Sequence, residues 1–118
     1  MFTGCKSQPN EEVYISDFYN IHEEYKDAWG NVGKYDISLP YIHCDSKSAK
    51  KLNQTIKNEY KDLIDSLDEA KEEGYTLPYT KVSYDVYTHS NLLSLVIKEE
   101  VETEYPRYKV YHFDSKTK

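Results

Sequence analysis

Apolar and polar residues alternate most regularly over residues 79–100. Val82, Tyr84 and Val86 alternate with Ser83, Asp85 and Tyr87, and Leu93, Leu95 and Ile97 alternate with Ser94, Val96 and Lys98. The polar break His89-Ser90-Asn91 separates the two runs. A period of two in β-branched and aromatic residues predicts a half-buried antiparallel pair. Residues 34–39 alternate in the same way, with Tyr35, Ile37 and Leu39 on one side. Pro40 ends that strand or confines it to an edge, and 41–44 continue extended. A last strand spans 107–113, with Tyr111 and Phe113 facing one way and Tyr108, Val110 and His112 the other.

Helical spacing occurs twice. Ala49, Leu52, Ile56, Tyr60, Leu63, Ile64, Leu67 and Ala70 fall on one face over 47–73, with Asp45 or Ser46 as N-cap and Gly74 in the C′ position. Such a helix is about 40 Å long at 1.5 Å per residue, so it overhangs the strands or crosses them obliquely. Its charges oppose the dipole, with Lys47, Lys50 and Lys51 at the start and Asp68, Glu69, Glu72 and Glu73 at the end. Packing of Leu52, Ile56, Tyr60, Leu63 and Leu67 on the Val82/Leu93 side of the sheet must therefore hold it. Tyr14, Phe18, Ile21, Tyr25 and Trp29 also step at helical spacing, which predicts an N-terminal helix over 12–29, although Val-Tyr-Ile and Phe-Tyr also suit strands. Residues 30–33 read as a turn. The fold class expected is α+β: one long helix packed on an antiparallel sheet of about four strands, with an N-terminal helix.

At 118 residues the chain fits one domain. Its 21 acidic and 15 basic residues give a net charge of −6, which argues against nucleic acid as a partner, since phosphate contacts need concentrated positive charge. No apolar run is long enough to span a membrane as a helix. Phe2-Thr3-Gly4-Cys5 resembles the end of a bacterial lipobox, without the basic and apolar regions that precede one. On that reading Cys5 is lipidated, residues 1–12 are a tether, the lipid is the only membrane contact, and 13–118 form the domain. A chance Gly-Cys is the plainer reading, and a Cys5–Cys44 disulfide in an oxidising compartment competes for the same sulfur.

Candidate chemistry is sparse. His43-Cys44-Asp45 suggests a metal or nucleophile, but neighbours in an extended chain point to opposite faces. The acids Glu99, Glu100, Glu102 and Glu104 read as a solvated strand end, and the sequon at Asn53 lies within a helix. No catalytic residue, metal or cofactor is expected. Thirteen tyrosines stand out. They suit an AT-rich coding genome, or an exposed face of Tyr79, Tyr87 and Tyr111 opposite the helix that stacks on glycan rings or meets a protein.

Several segments, taken in order, resemble the PdaC-type domain of unknown function. They are Leu39-Pro40-Tyr41-Ile42, the helix start carrying Asn53 and Ile56, the run 92–97 (LLSLVI), and 108–114 (YKVYHFD) followed by Lys116-Thr117. The match covers roughly residues 34–118. That domain is the non-catalytic extracytoplasmic part of a peptidoglycan deacetylase and occurs in RsiV-like anti-sigma factor ectodomains and Firmicute lipoproteins. This chain has Glu102-Thr-Glu-Tyr-Pro106 where many members carry a Gly-Gly-Ala-His type segment, and the second α/β domain that commonly follows in members does not fall within these 118 residues. The resemblance implies a non-catalytic extracytoplasmic module of the cell envelope with a glycan or protein ligand. The other reading is a structural half-domain of a longer protein.

Overall fold

A computed structural model describes residues 13–114. The elements run β1 (Tyr14–Lys26), β2 (Val32–His43), α1 (Lys47–Glu73), β3 (Thr80–His89), β4 (Leu92–Val101) and β5 (Arg107–Asp114). The five strands lie in one sheet in the order β1-β2-β3-β4-β5. The described chain is 52% strand and 26% helix, so the sheet dominates. The sheet is also mixed, because β2 and β3 pair in parallel over Tyr35↔Thr80 to Ile37↔Val82. A parallel pair needs a long crossover, and α1 is that crossover. The expected α+β domain with a four-stranded antiparallel sheet and an N-terminal helix is thus corrected on three counts: strand number, sheet type and the nature of residues 14–26.

The strand β1 explains its own misleading pattern. It pairs with β2 from Tyr14↔His43 to Lys26↔Val32, but the register slips between Asp17 and Tyr19, leaving Phe18 as an extra residue. A bulge shifts the alternation by one position. Here the shift falls on β2, where Leu39 and Ile42 are both buried. Ile15, Tyr19, Ile21 and Tyr25 keep one phase toward the core, and the extra residue Phe18 packs there too. Phe18, Ile21 and Tyr25, with Tyr14 on the other face and Trp29 in the turn, then mimic the spacing of a helix. The bulge lies opposite Pro40, which has no N–H to offer the ladder. It lets β2 run through the proline, which does not end the strand and lies beyond the last residue that pairs with β3, Ile37. Trp29 falls in the β1–β2 turn and is exposed. There Asp27 Oδ1 accepts the N–H groups of Trp29 and Asn31, each at 2.9 Å, and Gly30 takes φ 88. Gly33 belongs to β2 and not to the turn.

The helix forms over the expected span. Ser46 Oγ accepts the Ala49 N–H at 3.2 Å, and Gly74, at φ 83, donates its N–H to Ala70 O at 2.9 Å. One face of the helix closes the core, where Ala49, Ile56, Tyr60 and Leu67 meet Tyr35, Ile37, Leu39 and Ile42 of β2, Val82 of β3, Leu93, Leu95 and Ile97 of β4 and Phe113 of β5. Burying each large aliphatic side chain contributes about 1.5–3 kcal/mol, which offsets the adverse helix charges. Asn53 stands on the same face. Its amide accepts the Ile42 N–H at 2.8 Å and donates to the Ile42 carbonyl at 3.0 Å, pairing backbone groups of β2 where β3 has already diverged. The sequon asparagine is therefore committed to the fold.

Candidate binding face

With α1 covering one side, the side chains that alternate with the core residues form an uncovered face. At its β1–β2 end, Tyr14, Ser16, Tyr41 and His43 alternate with Ile15 and Ile42. The His43 ring lies parallel to Tyr14 at 4.2 Å between centroids and 6° between planes. Tyr41 meets the same imidazole edge-on at 5.0 Å and 69°. Ser16 Oγ lies 2.5 Å from His43 Nε2 and fixes the ring. Tyr14 is 58% exposed and Tyr41 40%.

Further along the face, Asp36 joins His22 and Tyr79, with Lys34 close by. His22 Nδ1 lies 3.0 Å from Asp36 Oδ1, Tyr79 donates its hydroxyl to Oδ2 at 3.1 Å, and Lys34 Nζ sits 5.5 Å from the Tyr79 ring centre. The His22 hydrogen bond holds the Asp36 carboxyl below the usual range against some desolvation, with Tyr79 and Lys34 adding to it. On β3–β5, Tyr87 pairs across from Ser94, whose Oγ lies 3.0 Å from His112 Nδ1. Tyr108 lies under Lys98 at 5.8 Å, and Val110 beside it is exposed.

The expected face of Tyr79, Tyr87 and Tyr111 is only partly assembled. Tyr87 is there and exposed. Tyr79 is there too, but it is tied to Asp36 and stands eight residues away, about 27 Å along a strand at 3.4 Å per residue. Tyr111 is on the other side. It pairs with Leu95, a core residue, and its hydroxyl donates to Glu59 of α1. It shares that face with Phe113, which is buried. Tyr14, Tyr41 and His43 were missed because they form a cluster only if residues 14–26 are a strand.

The helix side holds a second polar cluster. Glu99 faces inward between Ile97 and Val101, accepts the Tyr60 hydroxyl, and lies 3.3 Å from Arg107 and 3.4 Å from Lys109. Lys109 Nζ also sits 4.8 Å from the Tyr60 ring centre. Burial pushes the Tyr60 hydroxyl pKa up, and the Glu99 carboxylate adds to it. Burial and then Glu59 do the same for Tyr111. A cavity of about 210 Å³ adjoins these residues, and a more open groove of about 470 Å³ lies between Leu52, Thr55, His112 and Phe113. The charges of the cluster are paired internally, so it bolts α1 to β4 and β5. The remaining acids are separated: Glu100 pairs with Lys98, Glu102 accepts the Tyr79 N–H, and Glu104 reaches Arg107.

Cys44 is disulfide-bonded, with its sulfur 3.3 Å from the Ser46 hydroxyl. Cys5, the expected lipidation site, lies outside the described residues. Among the described residues, no group of three or more His, Cys, Asp or Glu side chains is placed to hold a metal ion, and no helix is long and apolar enough to cross a membrane. In comparisons with known proteins, the chain matches no family model and no curated sequence.

Proposed function

We propose that this chain is a non-catalytic extracytoplasmic module of the cell envelope that binds a glycan or a protein through its uncovered sheet face. The observation that carries the reading is the set of exposed rings on that face, Tyr14, Tyr41, Tyr87 and Tyr108, which the fold does not use for its core. The disulfide at Cys44 supports an oxidising compartment. The histidine pairs support binding over catalysis: among the described residues, the imidazoles of Ser16–His43 and Ser94–His112 have no carboxylate partner, and His22–Asp36 has no hydroxyl or thiol on the imidazole. The chain has two cysteines, so acylation of Cys5 and a disulfide within one chain exclude each other. The intact mass of the mature protein from its host distinguishes them.

Co-sedimentation with isolated bacterial envelopes tests the reading. The parent should pellet with envelope material, Lys57→Ala on the solvent side of α1 should do the same, and combined Tyr14→Ala and Tyr87→Ala substitutions should lower the bound fraction. A parent that stays in the supernatant with every envelope fraction would sink the proposal.

A further inference from the structure

We propose that the Tyr14–His43–Tyr41 wall is a stacking subsite for an uncharged pyranose sugar. The inference rests on the binding-module reading above and adds the place and the chemistry of the ligand. The rings are preorganised. His43 is braced by the Ser16 hydroxyl at 2.5 Å on one strand and flanked by both tyrosines, so ligand binding does not have to order it. A stacked imidazole covers one face of Tyr14, yet the residue remains 58% exposed, so its open surface faces outward. Neither the Tyr14 nor the Tyr41 hydroxyl is hydrogen-bonded to another described residue, while the hydroxyls of Tyr25, Tyr60, Tyr79, Tyr84 and Tyr111 all donate to partners. The wall thus combines apolar ring surface with free polar rims, which is what a sugar ring with apolar C–H faces and equatorial hydroxyls requires.

Size and charge narrow the occupant. At 150–250 Å² per aromatic side chain, the exposed fractions of Tyr14 and Tyr41 offer roughly 200 Å² together. A stable protein partner needs about 800 Å² per side, so the wall alone suits a ligand of one or two rings. The chain carries a net charge of −6, which disfavours polyanionic envelope polymers and leaves the neutral saccharides.

The test is an NMR titration of the whole chain with three uncharged oligosaccharides: β-1,4-linked tetramers of glucose, mannose and N-acetylglucosamine. At least one should shift the ring signals of Tyr14, Tyr41 and His43. Tyr14→Ala should then weaken binding about fivefold to tenfold, and Tyr14→Phe, which keeps the ring, should stay within about twofold. Lys57→Ala on the solvent side of α1 should leave the affinity unchanged. Thermal midpoints of the variants separate lost binding from lost folding. The subsite is overturned if none of the three oligosaccharides moves these signals at about 10 mM, or if binding occurs but Tyr14→Ala and parent bind alike. Either result would leave the module reading standing as long as the chain still pellets with envelope material. Capture of an envelope protein with no response to sugars would replace the saccharide with a protein ligand.

Discussion

Gly33 shows what a missing side chain does at a junction. A Cβ there would lie 2.7 Å from the Tyr35 hydroxyl oxygen and 3.0 Å from Thr76 Cγ2. Tyr35 cannot retreat, because it is fully buried and its hydroxyl accepts the Leu77 N–H at 2.8 Å. Gly33→Ala should lower stability by about 1–3 kcal/mol, as overpacking does, read from the denaturation midpoint. An unchanged midpoint would mean that the link after α1 yields freely. Asp27 makes a second prediction at this scale. Desolvation pushes its carboxyl up, but the N–H groups of Asn31 and Trp29, with the Asn31 and Thr76 side chains, outweigh it and hold the pKa below the usual carboxylate value. The folded state therefore binds its proton less readily than the unfolded chain. That contribution to stability is complete above the unfolded value, near pH 4, and is lost as pH falls through the lowered folded value. Asp27→Asn should flatten the acid limb of the melting temperature against pH below about pH 4. Parallel acid limbs for parent and variant would show that the turn contributes nothing there.

Among the elements, α1 was the most legible and β1 the least, for one reason. In α1 the apolar positions keep step through seven turns, and the residues they mark are the ones that pack: Ile56 and Leu67 are fully buried, and Leu52, Leu63 and Ile64 partly so. Ile56→Ala should cost about 2–5 kcal/mol in a chemical denaturation series, whereas Lys57→Ala, one residue away and exposed, should be near neutral. Comparable losses for the two would mean that the helix docks by another face. In β1 the core-side positions share their phase with Asp17 and Glu23, and the bulge adds Phe18 out of step, so the apolar alternation on which a strand assignment depends never accumulates. The β3–β4 hairpin was readable because its partners are sequence neighbours. Its loop is the two residues Ser90-Asn91, with His89 already paired to Leu92 and Ser90 at φ 57. The parallel join of β2 to β3 left no such trace, since it involves three register positions separated by the whole helix. The candidate site inherited this limit. Tyr87 could be placed by alternation within one hairpin, but the Tyr14–His43 stack exists only across a pairing that the sequence concealed.

For the molecule as a whole, that short parallel join is the weak seam. The β1–β2 ladder and the β3–β5 meander are each long and antiparallel, yet the two meet directly only over Tyr35–Ile37 and Thr80–Val82. The helix therefore clasps two subsheets together. On one side it holds β2 through Asn53 and β1 through the 2.7 Å pair of Lys71 with Glu23. On the other it holds β4 through Tyr60 and Glu99 and β5 through Glu59 and Tyr111. Two tyrosine hydroxyls bypass the helix: Tyr84 donates to Asp17 across β2, and Tyr79 donates to Asp36 of β2. Asn53→Ala would leave the Ile42 N–H and C=O without their partner, at a cost of about 1–3 kcal/mol per unsatisfied buried group. If the seam is the weakest boundary, that loss should appear first as opening of one subsheet and not as uniform unfolding. Native-state hydrogen exchange on parent and Asn53→Ala should show faster exchange for β1 and β2 amides, with Leu95 and Ile97 in β4 still protected at the parent level. Equal acceleration in all five strands would show that the sheet opens as one cooperative unit and that the join is stronger than its three pairs suggest. Localised opening would carry a consequence for binding, because Tyr14, Tyr41 and His43 all ride on the subsheet that moves, and a ligand bridging them to Tyr87 would close the seam from the uncovered side.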